Sequence, residues 1–311
     1  MVEATVIAAL VLDAALGWPK WLHARIGHPV GIFAAIINYC EKRWNRAVLT
    51  EMKRRIGGVM TVLILMVVAG GTAGPAQYYI IGMFGEWAWL PLAFLAWPAI
   101  TQRSLYEHVL PVLVALIAND LVAARDAVGM IVGRDTGGLD AGGVARAGTE
   151  SLAESFCDGV VAPVFWLVVA GLPGIWVYKA INTADSLIGH PEPPLRAFGW
   201  AAARTDDLLN LVPARLSGIL LCLAAFGGWR IMCRDHSRHA SPNAGWPEAA
   251  MAGALSVRLA GPVSYDGVPQ YKQWIGEGPS ADSASLERGL TIYIRACSIL
   301  WVVGVGLLWL V

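Results

Sequence analysis

The stretch 57–83 carries no charged side chain and constrains the fold of this chain more than any other feature. A transmembrane helix needs about 20 predominantly apolar residues, and this stretch exceeds that. Inside a bilayer the backbone must satisfy its own hydrogen bonds, so the run reads as a membrane helix. Gly70, Gly71, Gly74 and Pro75 divide it. Glycine and proline are tolerated there when neighbouring helices satisfy the backbone.

Other apolar runs fall at 4–16, 29–40, 88–100, 109–118, 159–178, 216–232 and 292–311. The first is interrupted by Asp13 and the second is short, so neither is a full span by itself. Pro163 and Pro173 break the run 159–178, which suggests a re-entrant or interfacial segment. The N-terminus lacks a basic leader region, has Glu3 early and reads as a retained membrane segment. Trp87, Trp89 and Trp97 suit an interfacial aromatic belt. The expected fold is therefore all-α: one polytopic integral membrane domain, 1–311, with about five membrane segments. No linker separates two folding units. Charged residues make up only 15% of the chain, against about 25% in soluble domains, which agrees with this placement in the lipid bilayer.

Orientation follows from 41–55, where Lys42, Arg43, Arg46, Lys53, Arg54 and Arg55 precede the long apolar run. Basic flanks stay on the cytoplasmic side, so this segment is placed on the cytoplasmic face of a cell (inner) membrane. The net charge is zero, which argues against nucleic acid as the main partner. The cysteines Cys40, Cys157, Cys222, Cys233 and Cys297 are scattered without a C-x-x-C pair, so they indicate neither a disulfide framework nor a zinc site.

Polar residues collect in three blocks, 119–158, 179–215 and 234–290. In the first, Glu150, Glu154 and Asp158 recur every four residues and share one helical face. Like charges at that spacing repel, so the row calls for a cation: an arginine, a magnesium ion or a substrate amine. In the second, Lys179, Asn182 and Ser186 share a face. Arg204 and Asp207 can pair at i,i+3, or Asp206 and Asp207 can help to hold a cation. In the third, Ser241-Pro242-Asn243-Ala244-Gly245-Trp246-Pro247-Glu248 forms a tight loop, with a helix beginning near Pro247. No lysine follows a glycine, so a P-loop is excluded, and H-E-x-x-H and G-x-S-x-G are also missing.

Taken in order, these blocks resemble the adenosylcobinamide-phosphate synthase family of cobalamin biosynthesis, the CobD/CbiB family. The matching stretches are Val132-Gly133-Arg134-Asp135-Thr136, Glu150-Ser151-Leu152-Ala153-Glu154, Asp158 to Trp166, Tyr178 to Ser186, Phe198 to Arg204, and the loop from Ser241 to Met251. Leu12-Asp13 and His28-Pro29-Val30 also fit. Trp18 stands where the family usually has aspartate, and Ser155 where it usually has asparagine.

The resemblance implies an amide-forming ligase. It would join aminopropanol or its O-phosphate to a propionate carboxylate of adenosylcobyric acid, consuming ATP with Mg2+. Glu150, Glu154, Asp158 and Lys179 are its expected catalytic residues. Arg134, Asp135, Asn182, Asp185, Arg204, Asn243 and Glu248 would bind substrate, and Glu154, Asp158 and Asp207 would hold magnesium. Other cobalamin-pathway membrane enzymes are expected partners, and the polar blocks are expected on the cytoplasmic face. A corrinoid transporter and a membrane scaffold for pathway enzymes are the rival readings.

Overall fold

The computed structural model describes residues 1–265 and 267–310, with side chains described as far as 306. It is mostly helical. Three segments are long and apolar enough to cross a membrane: Glu51–Ile117, Ala141–Ile188 and Ser283–Gly306. Two bent pairs, Val2–Leu16 with Lys20–Ile26 and Trp200–Leu209 with Leu211–Ala225, raise the number to five if each is one broken span. The expected count of about five is met only on that second reckoning.

The chain forms two compact units. One comprises Met1–Thr101, Ala162–Asn210 and Leu307–Val311; the other comprises Gln102–Val161 and Leu211–Gly306. Each is assembled from separate stretches, so neither follows from a linker in the sequence.

In the first unit, helix Glu51–Phe84 runs for 34 residues. Thr50 caps it by accepting the Lys53 N–H at 3.4 Å. Pro75 lies inside without ending it, and the glycines that divided the apolar run stay helical. Gly58 is needed for packing, since a Cβ there would meet the Phe198 carbonyl oxygen at 1.8 Å. Phe33, Ile37, Leu65, Ile181 and Phe198 form the core.

Helix Ala162–Ile188 of the same unit is broken at Ala170 and Gly171, ahead of Pro173. Gly171 adopts φ +63°, a left-handed conformation that glycine reaches without strain. The break frees the Leu172 N–H, and Gln77 Oε1 accepts it at 2.7 Å. A polar side chain from a neighbouring helix thus satisfies backbone that the break would otherwise leave bare. The interruption expected within 159–178 is present, and helix then continues through the polar residues to Ile188.

The second unit contains helices Gln102–Ile117, Leu121–Gly129, Ala141–Phe156, Leu211–Ala225, Trp229–Asp235, Gly245–Leu255 and most of Ser283–Leu310. Val109, Val112, Leu152, Phe156, Met251 and Leu286 lie in its core. The expected span 216–232 is not one helix. It ends at Ala225, and Gly228 turns at φ +91° where a Cβ would meet the Ala250 carbonyl oxygen at 2.7 Å.

The block 234–290 is also more ordered than a loop. It holds helix Gly245–Leu255, two residues ahead of the expected start at Pro247. It also holds two short antiparallel ladders, Leu259–Ala260 with Trp274–Ile275 and Val263–Tyr265 with Val268–Gln270. The all-α expectation is corrected to that extent. These strands are two or three residues long, too short for a period-two pattern to show in the sequence.

Candidate active site

Within the second unit, a polar cavity of about 210 Å³ is lined by Arg134, Glu150, Glu154, His239, Glu248 and Lys272, among others. Helix Ala141–Phe156 supplies two of the carboxylates. Asp140 caps it by accepting the Gly143 N–H at 2.7 Å. Its alanines and glycines let neighbours pack closely, which buries Glu150 to 4% exposure.

Glu150 has both oxygens engaged. Oε2 takes the guanidinium of Arg134, and Oε1 accepts the Ala260 N–H at 2.6 Å. The cation that the glutamate row requires is therefore, at Glu150, an arginine. The other terminal nitrogen of Arg134, Nη1, is buried without a hydrogen-bond partner. Beyond Glu154 the row meets a π-turn, Cys157–Val161, whose wider hydrogen-bonded loop ends the four-residue spacing before Asp158.

Glu248 enters from helix Gly245–Leu255 and is 2% exposed. Gly245 permits its approach, because a Cβ there would meet the His236 carbonyl oxygen at 2.0 Å. Ser241 holds the preceding turn by accepting the Ala244 N–H at 3.3 Å. His239 Nε2 lies 3.7 Å from Glu154 Oε1 and 3.6 Å from Glu248 Oε1. Burial, then the neighbouring Glu154, push the Glu248 carboxyl well above the ordinary glutamate value.

Glu154, His239 and Glu248 offer ligand atoms within 4.8 Å of one another, the one such group among the described residues. Asp158 and Asp207, expected with Glu154 as magnesium ligands, are not members of it. The triad's chemistry does not suit a metal ion either. His239 Nδ1 accepts the Ser241 N–H at 3.0 Å, so the neutral ring carries its proton on Nε2, the atom that faces the glutamates. Metal-bound imidazoles are usually held the other way, with the remote nitrogen donating.

The other expected residues fall into two groups. In the cavity's unit, Asp135 anchors a hairpin: Oδ2 accepts the Ser264 hydroxyl and the Gly267 N–H, each at 2.8 Å. Asn243 is buried and accepts from Arg215 at 2.8 Å. The first unit holds Lys179, Asn182, Asp185, Arg204 and Asp207. Arg204 is exposed and pairs with Asp207 at 3.2 Å, the i,i+3 pairing allowed by the sequence. The neighbouring Asp206 is buried instead. Its Oδ2 accepts from Asn210 at 2.9 Å and its Oδ1 from Asn182 at 3.5 Å, and Tyr178 donates to Asn210 at 3.1 Å.

Sequence reasoning passed over His239 and Lys272 as site residues. His239 lies two residues before the Ser-Pro-Asn loop, and that proximity was its only signal. Lys272 lies in a stretch without periodicity and carried none.

A family model described as CobD/Cbib protein matches residues 6–293. A relative from Rhodobacter capsulatus, named cobalamin biosynthesis protein CobD, is 49% identical over 298 residues, covering 94% of this chain and 93% of its own. A relative of the same name from Rhizobium meliloti is 43% identical with the same coverage. One from Geobacter metallireducens is 42% identical over 92% of this chain and 90% of its own. No solved structure matches the chain.

Proposed function

The chain belongs to the CobD/Cbib family, and from that membership we propose that it is a membrane ligase of cobalamin biosynthesis. It forms an amide between a propionate carboxylate of adenosylcobyric acid and the amine of aminopropanol O-phosphate or of free aminopropanol. The observation that carries this reading is the polarity of the cavity. Glu154, Glu248, Arg134 and Lys272 line the same small space, and Arg134 Nη1 has no hydrogen-bond partner. A small molecule with an amine at one end and a phosphate at the other matches both sets of groups. Arginine and lysine bind phosphate oxygens, and carboxylates accept from ammonium.

Amide formation from a free carboxylate in water is uphill, so the carboxylate must first be activated. ATP supplies that activation in this proposal, and Mg2+ enters as the nucleotide's counter-ion with no residue of this chain assigned to it. An ammonium has no lone pair and must lose a proton before it attacks the activated carbonyl. Glu154 accepts that proton in this proposal. The activating group then leaves with its bonding electrons, and the nitrogen gives up a second proton as the amide forms. By the resemblance alone, Lys179 is assigned to phosphate oxygens or the corrinoid carboxylate, and Asn182 to orienting the substrate.

The test uses purified full-length protein with adenosylcobyric acid, aminopropanol O-phosphate, ATP and Mg2+, read by mass spectrometry. Amide product is expected from the wild type. Glu154→Gln is expected to lower kcat by about 10²–10⁴-fold, the usual contribution of a general base. Lys179→Ala is expected to yield no product. Corrinoid uptake into vesicles without product would support a transporter instead, and neither activity would leave a scaffold.

A further inference from the structure

The Glu154, His239 and Glu248 group is incomplete as hydrogen bonding alone. Glu248 Oε2 is buried and has no partner. Ionised carboxylates only accept, so two of them facing one another cannot satisfy that oxygen. A buried acceptor left bare costs roughly as much as a lost hydrogen bond. Three things could complete the group: a divalent metal, the ammonium of a ligand, or a proton.

His239 decides among them. A metal on its Nε2 needs a bare lone pair there and a proton on Nδ1. The Ser241 N–H, 3.0 Å from Nδ1, is a donor and opposes a proton at that position. A ligand's ammonium is present only in the complex. The unliganded protein is left with a proton.

We propose that Glu248 holds a proton against Glu154, so that this group is a proton-holding carboxyl pair and not a metal centre. The acidic neighbours agree, and Lys272, which disagrees, has the smallest effect among these neighbours. Glu154 and Glu150 both oppose a charge on Glu248, and Lys272 favours one. Arg134 lines the same cavity but is committed through one nitrogen to Glu150. Tyr265 also lines it and accepts from Lys272 at 3.2 Å. His239 in its Nε2–H form adds a donor and no charge. Burial supports the acid form, because it penalises ionised Glu248 before any neighbour acts. The inference stands on the unliganded protein and does not depend on which reaction the cavity performs.

Infrared difference spectroscopy on purified full-length protein at neutral pH tests it. The wild type should show the carbonyl stretch of a protonated carboxylic acid, shifted in heavy water and missing in Glu248→Gln. If that variant does not fold, Glu154→Gln serves instead. There the band should persist at a changed frequency, because the acid then bonds an amide. A parallel Mn2+ titration, following free ion by electron paramagnetic resonance, should give the same uptake for wild type and Glu248→Gln. One Mn2+ per chain lost on either substitution would overturn the proposal. So would the lack of any acid band that responds to them.

Discussion

Glu150 and Glu154 differ by one helical turn and have different work. Both oxygens of Glu150 are used to hold Arg134 and the Ala260 N–H, so Glu150→Gln strands a buried guanidinium. Breaking one partner of a buried pair costs about 3–5 kcal/mol, so this variant should show a clearly lowered melting temperature. Glu154→Gln should melt like wild type and lose turnover. Glu248 gives a pH signature. A carboxyl whose folded pKa is raised binds more protons in the folded than in the unfolded state, so stability falls as pH rises. The fall starts above the ordinary glutamate value of 4.5, continues up to the raised value and is at most about 1.4 kcal/mol per pH unit. Melting curves from pH 5 upward should show this slope in wild type and lose it in Glu248→Gln. The sequence displayed the glutamates through their spacing. It could not show the ring orientation of His239, which depends on one backbone N–H two residues away.

At the scale of elements, the break at Ala170–Gly171 is stabilised from outside its own helix. Gln77→Leu removes the acceptor of the Leu172 N–H and should cost about 1–3 kcal/mol, the desolvation penalty of one stranded buried group. Gly171→Ala should also destabilise, because its Cβ would lie 2.4 Å from Gln77 Oε1 in a left-handed backbone. Thermal melts of both variants check this. Asp135→Ala should loosen the strands Val263–Tyr265 and Val268–Gln270, read as faster amide hydrogen exchange there and a raised KM for the amine. Prolines announced a discontinuity within 159–178, but its exact position rests on a glutamine almost a hundred residues earlier. The short ladders in 234–290 were illegible for a related reason: their registers are set by Asp135 and by contacts distant in sequence, not by their own two or three residues.

At the scale of the molecule, helices long and apolar enough to cross a membrane were legible from apolar runs alone, and the family from the order of its polar motifs. What the sequence could not show was how the chain divides, because both units are stitched from separated stretches. Cysteines introduced at Asp158 and Asp185 test the proposed sidedness: both should react with an impermeant reagent from the cytoplasmic side, and labelling from opposite sides would refute it. The stitching also sets an order of assembly during synthesis. Arg134, Glu150 and Glu154 leave the ribosome long before His239, Glu248 and Lys272. At about 5–20 residues per second the interval is on the order of ten seconds. Until then Glu154 has no wall opposite, and the growing chain must shelter an unfinished acidic helix while its later half is still being translated.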